Sequence, residues 1–253
     1  MTRPHPYGPD EDFARRKYTR AVRGLSNVAG TVQQGRADDG IVDAGVKNGF
    51  EAAALGWFLG EPVETLRGHL VAALPFVRYA LSRNDGDQPA PMSVGLWVSL
   101  AAVTGDRELA EHAGARLTPG GPLGQPAEAA PRMLAGLAYG AVDAARARAD
   151  ELAAVLADPA TPPDTVHAFG GLAEIAITGL AGDVAGQHAA LRARGEVTSR
   201  FYRRSAESRR QWMNLFDHYA AATALLSALG GGPDWPDDVP SLPVPLLPTT
   251  RRS

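Results

Sequence analysis

The sequence predicts an all-α protein, built as an irregular array of αα-hairpins in a tetratricopeptide-like (TPR-like) layout with a proline-rich, extended C-terminal tail. Runs of β-branched residues that alternate with polar ones are missing, whereas alanine-rich segments with an apolar residue every three or four positions recur throughout. Glycines, mostly followed by an acidic residue, also punctuate these segments at intervals typical of two-helix units.

The apolar periodicity places the helices between clusters of glycine and proline. Clusters such as "RNDGDQPAP" and "TPGGPLGQP" end a helix, because proline lacks a backbone N–H and glycine favours turns. The predicted helices cover residues 10–33, 39–59, 62–83, 91–104, 106–117, 126–140, 142–157, 163–181, 184–199 and 205–229.

Glycine corners join the predicted hairpins at "FLGEPVETL", "VTGDRELAE" and "LAGDVAGQH", with a looser copy at "AYGAVDAAR". Glycine adopts the left-handed conformation that ends a helix without a Cβ penalty. The acidic residue after it, Glu61, Asp106 or Asp183, is then expected to cap the next helix. The corner glycines, 35 to 48 residues apart, are Gly60, Gly105, Gly140, Gly182 and Gly230.

The chain divides into three parts. We expect residues 1–9 to be disordered, residues 10–229 to form a single helical-hairpin domain, and residues 230–253 to be a proline-rich tail. Prolines every two to four residues exclude a helix in the tail. The apolar residues between them, such as Trp235 and Leu242, predict that the tail packs partly on the domain.

Composition restricts the chemistry and the location. The 253 residues include no cysteine, which excludes disulfides, thiol nucleophiles and cysteine-ligated metals. The net charge is −3 at pH 7, so we expect no nucleic-acid partner. The apolar runs predict neither a secretion signal nor a membrane span, so the expected location is cytoplasmic.

Sequence motifs that define an enzyme class are also missing. The chain has no phosphate-binding loop, no dinucleotide fingerprint, no nucleophile elbow and no HExxH. The sequence therefore predicts no catalytic residue, no metal and no cofactor. What remains are three groups of polar residues on otherwise apolar helices, and each has a structural and a functional interpretation.

The first group is a charged series in the second predicted helix. Asp43, Lys47 and Glu51 are spaced i, i+4 and i+8, which satisfies both ion-pair spacings on one helix face. The pattern is typical of a charge ladder on a partly exposed face. The functional alternative is a general acid or base, or a lysine buried in a cavity.

The second group centres on Glu174, the single charge in "TVHAFGGLAEIAITGLAG". A carboxylate among alanine, leucine and isoleucine needs a partner or a raised pKa. We expect a structural pair between Glu174 and an arginine, either Arg132 or Arg210. The alternative is a ligand-bridging role shared with His167, which lies on the same predicted face at i−7.

The third group is "YRRSAESRRQWMNLFDHYAA", most of which lies in the predicted helix 205–229. Helical spacing assigns Trp212, Phe216 and Tyr219 to packing. Adjacent helical residues point about 100° apart, which excludes a direct Asp217–His218 pair. We predict that the remaining polar residues form a contact surface. Its members are Arg203, Arg204, Arg209, Arg210, Gln211, Asn214 and His218.

Two segments carry a resemblance to a known family. Hairpins of the type "ALGWFLGEPVETLRGHLVAAL", and a last helix that runs into "LLSALGGGPDWPDDVPSLPVPLLP", resemble the Imm49 group of helical immunity proteins from bacterial polymorphic-toxin systems. The resemblance implies cytoplasmic neutralisation of a cognate toxin by direct binding, without a cofactor. It carries over no individual binding residue.

Three functions are therefore open. A protein-binding helical-repeat protein, specifically an immunity protein that binds a toxin, is favoured because it requires no catalytic motif. The first alternative is a helical, metal-dependent or metal-free tailoring enzyme whose pocket contains Lys47, Glu51, His167, Glu174 and His218. The second alternative is a TPR-like scaffold or regulator with a peptide ligand. The sequence does not set the oligomeric state.

Overall fold

The protein is built from α-helices, as its sequence predicts. The computed structural model describes residues 9–83, 88–117, 125–203, 211–228, 235–236, 238–239 and 241–248, and within these ranges no strand occurs. Short 3-10 helices cover Pro126–Glu128, Trp212–Asn214 and Val244–Leu246. The α-helices are α1 (Glu11–Gln33), α2 (Asp39–Leu59), α3 (Val63–Ser82), α4 (Pro91–Thr104), α5 (Arg107–Gly114), α6 (Ala129–Ala138), α7 (Val142–Ala157), α8 (Pro163–Phe169), α9 (Leu172–Leu180), α10 (Val184–Arg203) and α11 (His218–Ser227).

Two helices, α4 and α11, lie at the centre of the fold. In α4 every residue from Ser93 to Val103 is buried, a pattern typical of a core helix. Helix α11 packs against α4, α6, α9 and α10. Its contacts therefore reach helices far away along the chain, whereas a solenoid repeat contacts only its neighbours. The all-α class is confirmed, and the TPR-like layout is not.

Helix α2 packs closely between α1 and α3 because glycines face its neighbours. A Cβ on Gly45 would lie 2.5 Å from the ring of Phe76 in α3, and one on Gly49 would lie 3.0 Å from the side chain of Ala73. Small residues at such contacts let helix axes approach. Close packing fixes α2, and with it the direction of the polar side chains that α2 carries.

The glycine corners have the predicted backbone conformation. Asp106 and Asp183 cap the helices that follow, because each carboxylate accepts a hydrogen bond from the backbone N–H three residues later, at 3.1 and 2.9 Å. Glu61 does not cap α3, since Pro62 occupies the capping position and no side-chain bond is made there. That part of the prediction is wrong. The corners with φ between 69° and 81° are Gly60, Gly105, Gly140 and Gly182, and Gly230 lies outside the described residues.

Two predicted helices are not continuous. The predicted helix 163–181 breaks at Gly171, whose φ is 81°, and becomes α8 and α9. The predicted helix 205–229 is confirmed over His218–Ser227, which form α11, but it is wrong for residues 211–217, because Gln211 is extended (φ −80°, ψ 128°) and α11 begins only at His218. Asp217 caps α11 from a non-helical conformation, and apolar spacing alone does not reveal such a cap.

The described part of the tail lies on the helices as a segment that we name the C-terminal strap, residues 241–248. Arg67 of α3 donates hydrogen bonds to the carbonyl oxygens of Pro245 at 2.8 Å and Leu247 at 3.5 Å. Trp235 donates from Nε1 to the carbonyl oxygen of Pro248 at 3.3 Å. The buried tail residues include Val239, Leu242, Leu246 and Leu247.

The ends of the chain contribute little to this description. Of the N-terminal segment expected to be disordered, residues 1–8 lie outside the described residues, as do residues 229–234 and 249–253 of the tail region.

None of the helices within the described ranges is long and apolar enough to cross a membrane.

Two glycine substitutions test the corner geometry. Gly60→Ala should lower the free energy of unfolding by about 1–2 kcal/mol, because a Cβ disfavours the left-handed conformation although no atom lies within 4 Å of it. Gly68→Ala is the control, since Gly68 is exposed inside α3 with equal space around it. It should raise stability by about 0.5–1 kcal/mol. Urea denaturation measures both, and equal effects would contradict the assignment.

Candidate functional site

A buried ion pair between Arg194 of α10 and Asp217 at the start of α11 lies within the second half of the fold. Both side chains are 5% exposed. The guanidinium binds the carboxylate through two hydrogen bonds, from Nε to Oδ2 at 2.6 Å and from Nη2 to Oδ1 at 3.2 Å. Such a fork-to-fork geometry is the strongest form of an arginine–carboxylate contact.

The remaining hydrogen bonds of this pair tie four parts of the chain together. Arg194 also donates to the carbonyl oxygens of Ala168 at 2.9 Å, in the last turn of α8, and of Gly170 at 2.5 Å, between α8 and α9. The carboxylate of Asp217 accepts from the N–H of Ala220 at 3.0 Å. The N–H of Asp217 donates to a strap carbonyl, that of residue 241, at 2.8 Å. Because the hydrogen-bonding groups of both side chains are used within the protein, the pair has a structural role.

His218 lies next to this pair in a box of aromatic rings. Its ring centroid is 4.7 Å from that of Phe50, 5.2 Å from Trp212 and 4.4 Å from Tyr219. Its Nε2 atom is buried without a hydrogen-bond partner. Burial lowers the pKa of His218 to about 4, so the ring is neutral at pH 7. The predicted role of His218 in a contact surface is therefore wrong.

The aromatic residues beside His218 have the packing role that their spacing predicts. Phe216 is fully buried, while Trp212 and Tyr219 are partly buried and pack against the core. Trp212 is stacked on Phe50 of α2, with ring centroids 5.6 Å apart and an angle of 2° between the planes. The other predicted members of the surface give no test. Gln211 is exposed. Outside the described part of the structure lie the residues Arg204, Arg209 and Arg210 and the side chains of Arg203 and Asn214.

The charged series of α2 does not form a ladder. Asp43 accepts hydrogen bonds from Ser93 Oγ at 2.7 Å and Trp97 Nε1 at 2.8 Å, both in α4. Lys47 is exposed, so the alternative of a buried lysine is wrong. It forms no ion pair with a described residue. Positions i and i+8 diverge by about 80° on an α-helix. Glu51 accordingly faces α1.

Glu51 forms an ion pair with Lys17 of α1, with Nζ and the carboxylate oxygen 3.6 Å apart. Asp43 is different, because burial raises the pKa of its carboxyl group while the bonds from Ser93 and Trp97 oppose that change. Both carboxylates are engaged by side chains of neighbouring helices. Asp43 joins α2 to α4, and Glu51 joins α2 to α1.

Glu174 and His167 are separated by the break at Gly171. Glu174 is exposed in the first turn of α9, where a carboxylate is favoured by the helix dipole. The expected pair with Arg132 is wrong, because Arg132 lies 3.4 Å from Glu128, and Arg210 lies outside the described residues. His167 belongs to α8, and its ring packs on Phe201 with centroids 4.2 Å apart.

The residues of the suggested enzyme pocket thus have different surroundings. Glu51 contacts Lys17, Glu174 is exposed, and His218 is enclosed by aromatic rings. Within the described part of the chain, no group of three or more histidine and carboxylate side chains is arranged to hold a metal ion. No contact of the described residues favours the enzyme alternative.

The exposed face of α1 carries a row of basic residues that sequence reasoning missed. Arg16, Arg20 and Arg23 are spaced i, i+4 and i+7, so they lie on one face, and all three are exposed. They form no ion pair with any residue that the structure describes. We name these three residues the arginine stripe. The signal was present in "RRKYTRAVR", at helical spacing.

The arginine stripe has a rigid support. The opposite face of α1 buries Ala14, Ala21, Leu25 and Val28. The neighbouring Arg15 differs from the stripe because it lies 3.0 Å from Glu11, one turn away. Helix α1 packs along α2 and α3, so the backbone that carries the stripe is fixed.

Comparison of the chain with protein families, with curated proteins and with solved structures yields no match. The arguments about function therefore rest on the residues themselves.

Replacement of the buried arginine tests its structural role. Arg194→Met should lower the free energy of unfolding by about 3–5 kcal/mol, because it leaves the charge of Asp217 buried without a partner. The double variant Arg194→Met, Asp217→Asn should recover part of this loss. Thermal or urea denaturation checks both.

Arg192→Met is the matched control for that experiment. Arg192 lies on the same helix and binds Asp238 at 2.8 Å, but the two side chains are 48% and 61% exposed. An exposed pair contributes about 1 kcal/mol or less. A loss in Arg192→Met as large as in Arg194→Met would show that burial of the pair is not what matters.

The buried histidine predicts a dependence of stability on pH. With a folded-state pKa of about 4, below its ordinary value, His218 binds a proton more readily in the unfolded chain. Its contribution is complete above about pH 6.5 and is lost as the pH falls towards 4, by up to about 1.4 kcal/mol per pH unit. Between pH 6.5 and pH 4, this loss lowers the free energy of unfolding by about 3 kcal/mol in total.

His218→Phe separates this effect from the titration of the carboxylates. The variant keeps an aromatic ring in the box and removes the ionisable group. The difference in unfolding free energy between the two proteins should therefore change steadily between pH 6.5 and pH 4, in favour of the variant at the acidic end. A constant difference across that interval would refute the assigned pKa.

Proposed function

We propose that the protein is a binding protein that recognises an acidic surface of another protein through the arginine stripe. The observation that carries this proposal is the row of three exposed guanidinium groups without a described ionic partner, on one face of a fixed helix. Arginine is enriched where proteins bind each other, since its planar fork matches a carboxylate.

The charge distribution supports a partner outside the chain. Helix α1 contains five basic and two acidic residues, whereas the whole chain has a net charge of −3. Like charges at i and i+4 destabilise an isolated helix by a few tenths of a kcal/mol. The stripe therefore does not serve the stability of α1, and an anionic partner offsets its repulsion.

The geometry of α1 sets the size of the complementary surface. With a rise of about 1.5 Å per residue, the Cα atoms of Arg16 and Arg23 are about 10 Å apart along the axis. Two or three carboxylates along about two turns of a helix, or along a loop of similar length, match this distance. Because the helix backbone is already ordered, binding costs only the side-chain entropy of the three arginines and no folding of the segment.

Neutralisation of a bacterial toxin is the form of this function that the sequence resemblance favours. An immunity protein needs a rigid surface and no catalytic group, and the arginine stripe meets the first requirement. Electrostatic complementarity also raises the rate of association, which helps an inhibitor that must capture its target quickly. The surface predicted around Arg203 and Arg209 stays a prediction and would extend the contact beyond α1.

The test uses the protein encoded by the gene next to that of this chain. If that protein is a toxin, co-expression should restore growth, and purified proteins should form a complex whose affinity falls with added salt. A triple variant with Arg16→Ala, Arg20→Ala and Arg23→Ala should weaken binding by about 2 kcal/mol or more, roughly 30-fold in Kd. Its melting temperature should remain within about 2 °C of wild type.

Arg146→Ala provides the control, because Arg146 is exposed on α7 and has no described ionic partner. It should bind and protect like the wild-type chain. Absence of a complex with the neighbouring protein would overturn the immunity role, and undiminished binding by the triple variant would overturn the role of the stripe. Binding to duplex DNA or RNA at physiological salt, lost in the triple variant, would replace a protein partner with nucleic acid.

A further inference from the structure

The three aromatic rings around His218 are held by two kinds of backbone. Phe50 lies within α2 and Tyr219 within α11, so both side chains project from an α-helix. Trp212 belongs instead to the short 3-10 helix Trp212–Asn214. Hydrogen bonds in a 3-10 helix have poorer geometry than those in an α-helix. Of the three rings, that of Trp212 is therefore held by the weakest backbone.

The Trp212 side chain helps to shield the imidazole of His218 from water. It lies parallel to the ring of Phe50 and close to that of His218, with centroids 5.6 and 5.2 Å away. Trp212 itself is only partly buried, whereas His218 is 4% exposed. Movement of Trp212 away from Phe50 would thus give water access to the imidazole.

A proton on His218 has no acceptor in the closed arrangement. Both nitrogen atoms of an imidazolium carry a proton, and Nε2 of His218 is buried without a hydrogen-bond partner. The charged ring would therefore leave a buried N–H group unpaired. Attraction of a cation to aromatic faces opposes its release but does not supply the missing acceptor.

Three charged groups act on His218 from its surroundings. Burial disfavours the imidazolium most, Asp217 favours it, and Arg194 of α10 and Lys47 of α2 disfavour it. The carboxylate of Asp217 is already engaged by Arg194, so its attraction is shared. Tyr219 is the other titratable group of the box, and burial raises the pKa of its hydroxyl group, which keeps it neutral.

We propose that this arrangement is a pH-sensitive switch, in which a proton on His218 separates Trp212 from Phe50 while the α-helices stay folded. The closed form holds a neutral imidazole among the rings. In the open form, the imidazolium is hydrated and the Trp212 ring has left Phe50. Asp217 still anchors the first turn of α11 in both forms, because its bonds to Arg194 and to the N–H of Ala220 do not involve Trp212.

The difference in proton affinity sets the direction and size of the response. His218 has a pKa of about 4 in the closed form and its ordinary value, about 6.5, when water surrounds it. The open form binds the proton more readily, so the ratio of open to closed molecules rises as the pH falls through this interval. The rise is up to about tenfold per pH unit, or roughly a hundredfold between pH 7 and pH 4.

Two-dimensional NMR of the full-length chain between pH 7 and pH 4 tests the switch, with relaxation dispersion to measure the open population. The indole signal of Trp212, assigned by its loss in Trp212→Phe, should report the roughly hundredfold rise. The backbone amide of Leu100, in the buried helix α4, reports unfolding of the whole domain. It should keep its native signal at pH values where Trp212 already samples the open form.

Two variants identify the titrating group. His218→Phe keeps a ring in the box and removes the ionisable group, so its Trp212 signal should stay that of the closed form. His112→Gln removes an exposed histidine of α5 and should behave like the wild type. An equal response in His218→Phe would assign the opening to a carboxylate and overturn the proposal.

The wild-type protein alone also decides the matter, even if His218→Phe does not fold. Loss of the Trp212 and Leu100 signals at the same pH would overturn the switch, because the box would then open only with the whole fold. A Trp212 signal that is unchanged down to pH 4 would overturn it as well, because the rings would then hold the imidazolium. Neither outcome involves the arginine stripe, which shares no residue with the box.

Discussion

The buried pair of Arg194 and Asp217 is the interaction on which the rest of the structure depends. It brings together α10, the break between α8 and α9, the first turn of α11 and the strap. Removing two charges from water is expensive, and the penalty is offset here because nearly every lone pair and N–H at the pair is used. With α11 anchored at its first turn, the following residues are directed into the core against α4 and α9.

The proposed binding surface, the arginine stripe, lies on α1, and α1 packs on the glycine-rich α2. Sites on helices keep their geometry better than sites on loops. The polar residues of α2 itself act as joints: Asp43 binds α4 and Glu51 binds α1. Charged groups at helix contacts therefore organise the fold, whereas the arginine stripe on the outer face of α1 has no ionic partner among the described residues.

Much of the fold is predictable, and the reasons are local. The bounds of α2, α4 and α7 match their predictions to the residue, because a capping residue or proline precedes each helix, or a glycine or proline follows it closely. The break at Gly171 was missed, since the apolar period continues through it. The sites were harder to predict. Arg192 and Arg194 are two positions apart on one helix, and only tertiary packing makes one exposed and the other buried. Helical spacing places His218 on a surface, because apolar periodicity does not reveal the cap at Asp217.

The strap has a consequence for the order in which the chain acquires its structure. Helices α1, α2 and α3 contact one another and emerge from the ribosome before the strap, because Pro245 and Leu247 are 178 and 180 residues beyond Arg67. The apolar surface of α3 that the strap covers therefore stays open to water until the strap has been synthesised. During that interval it is a place where chaperones can hold the chain, and closure by the strap marks the end of their access.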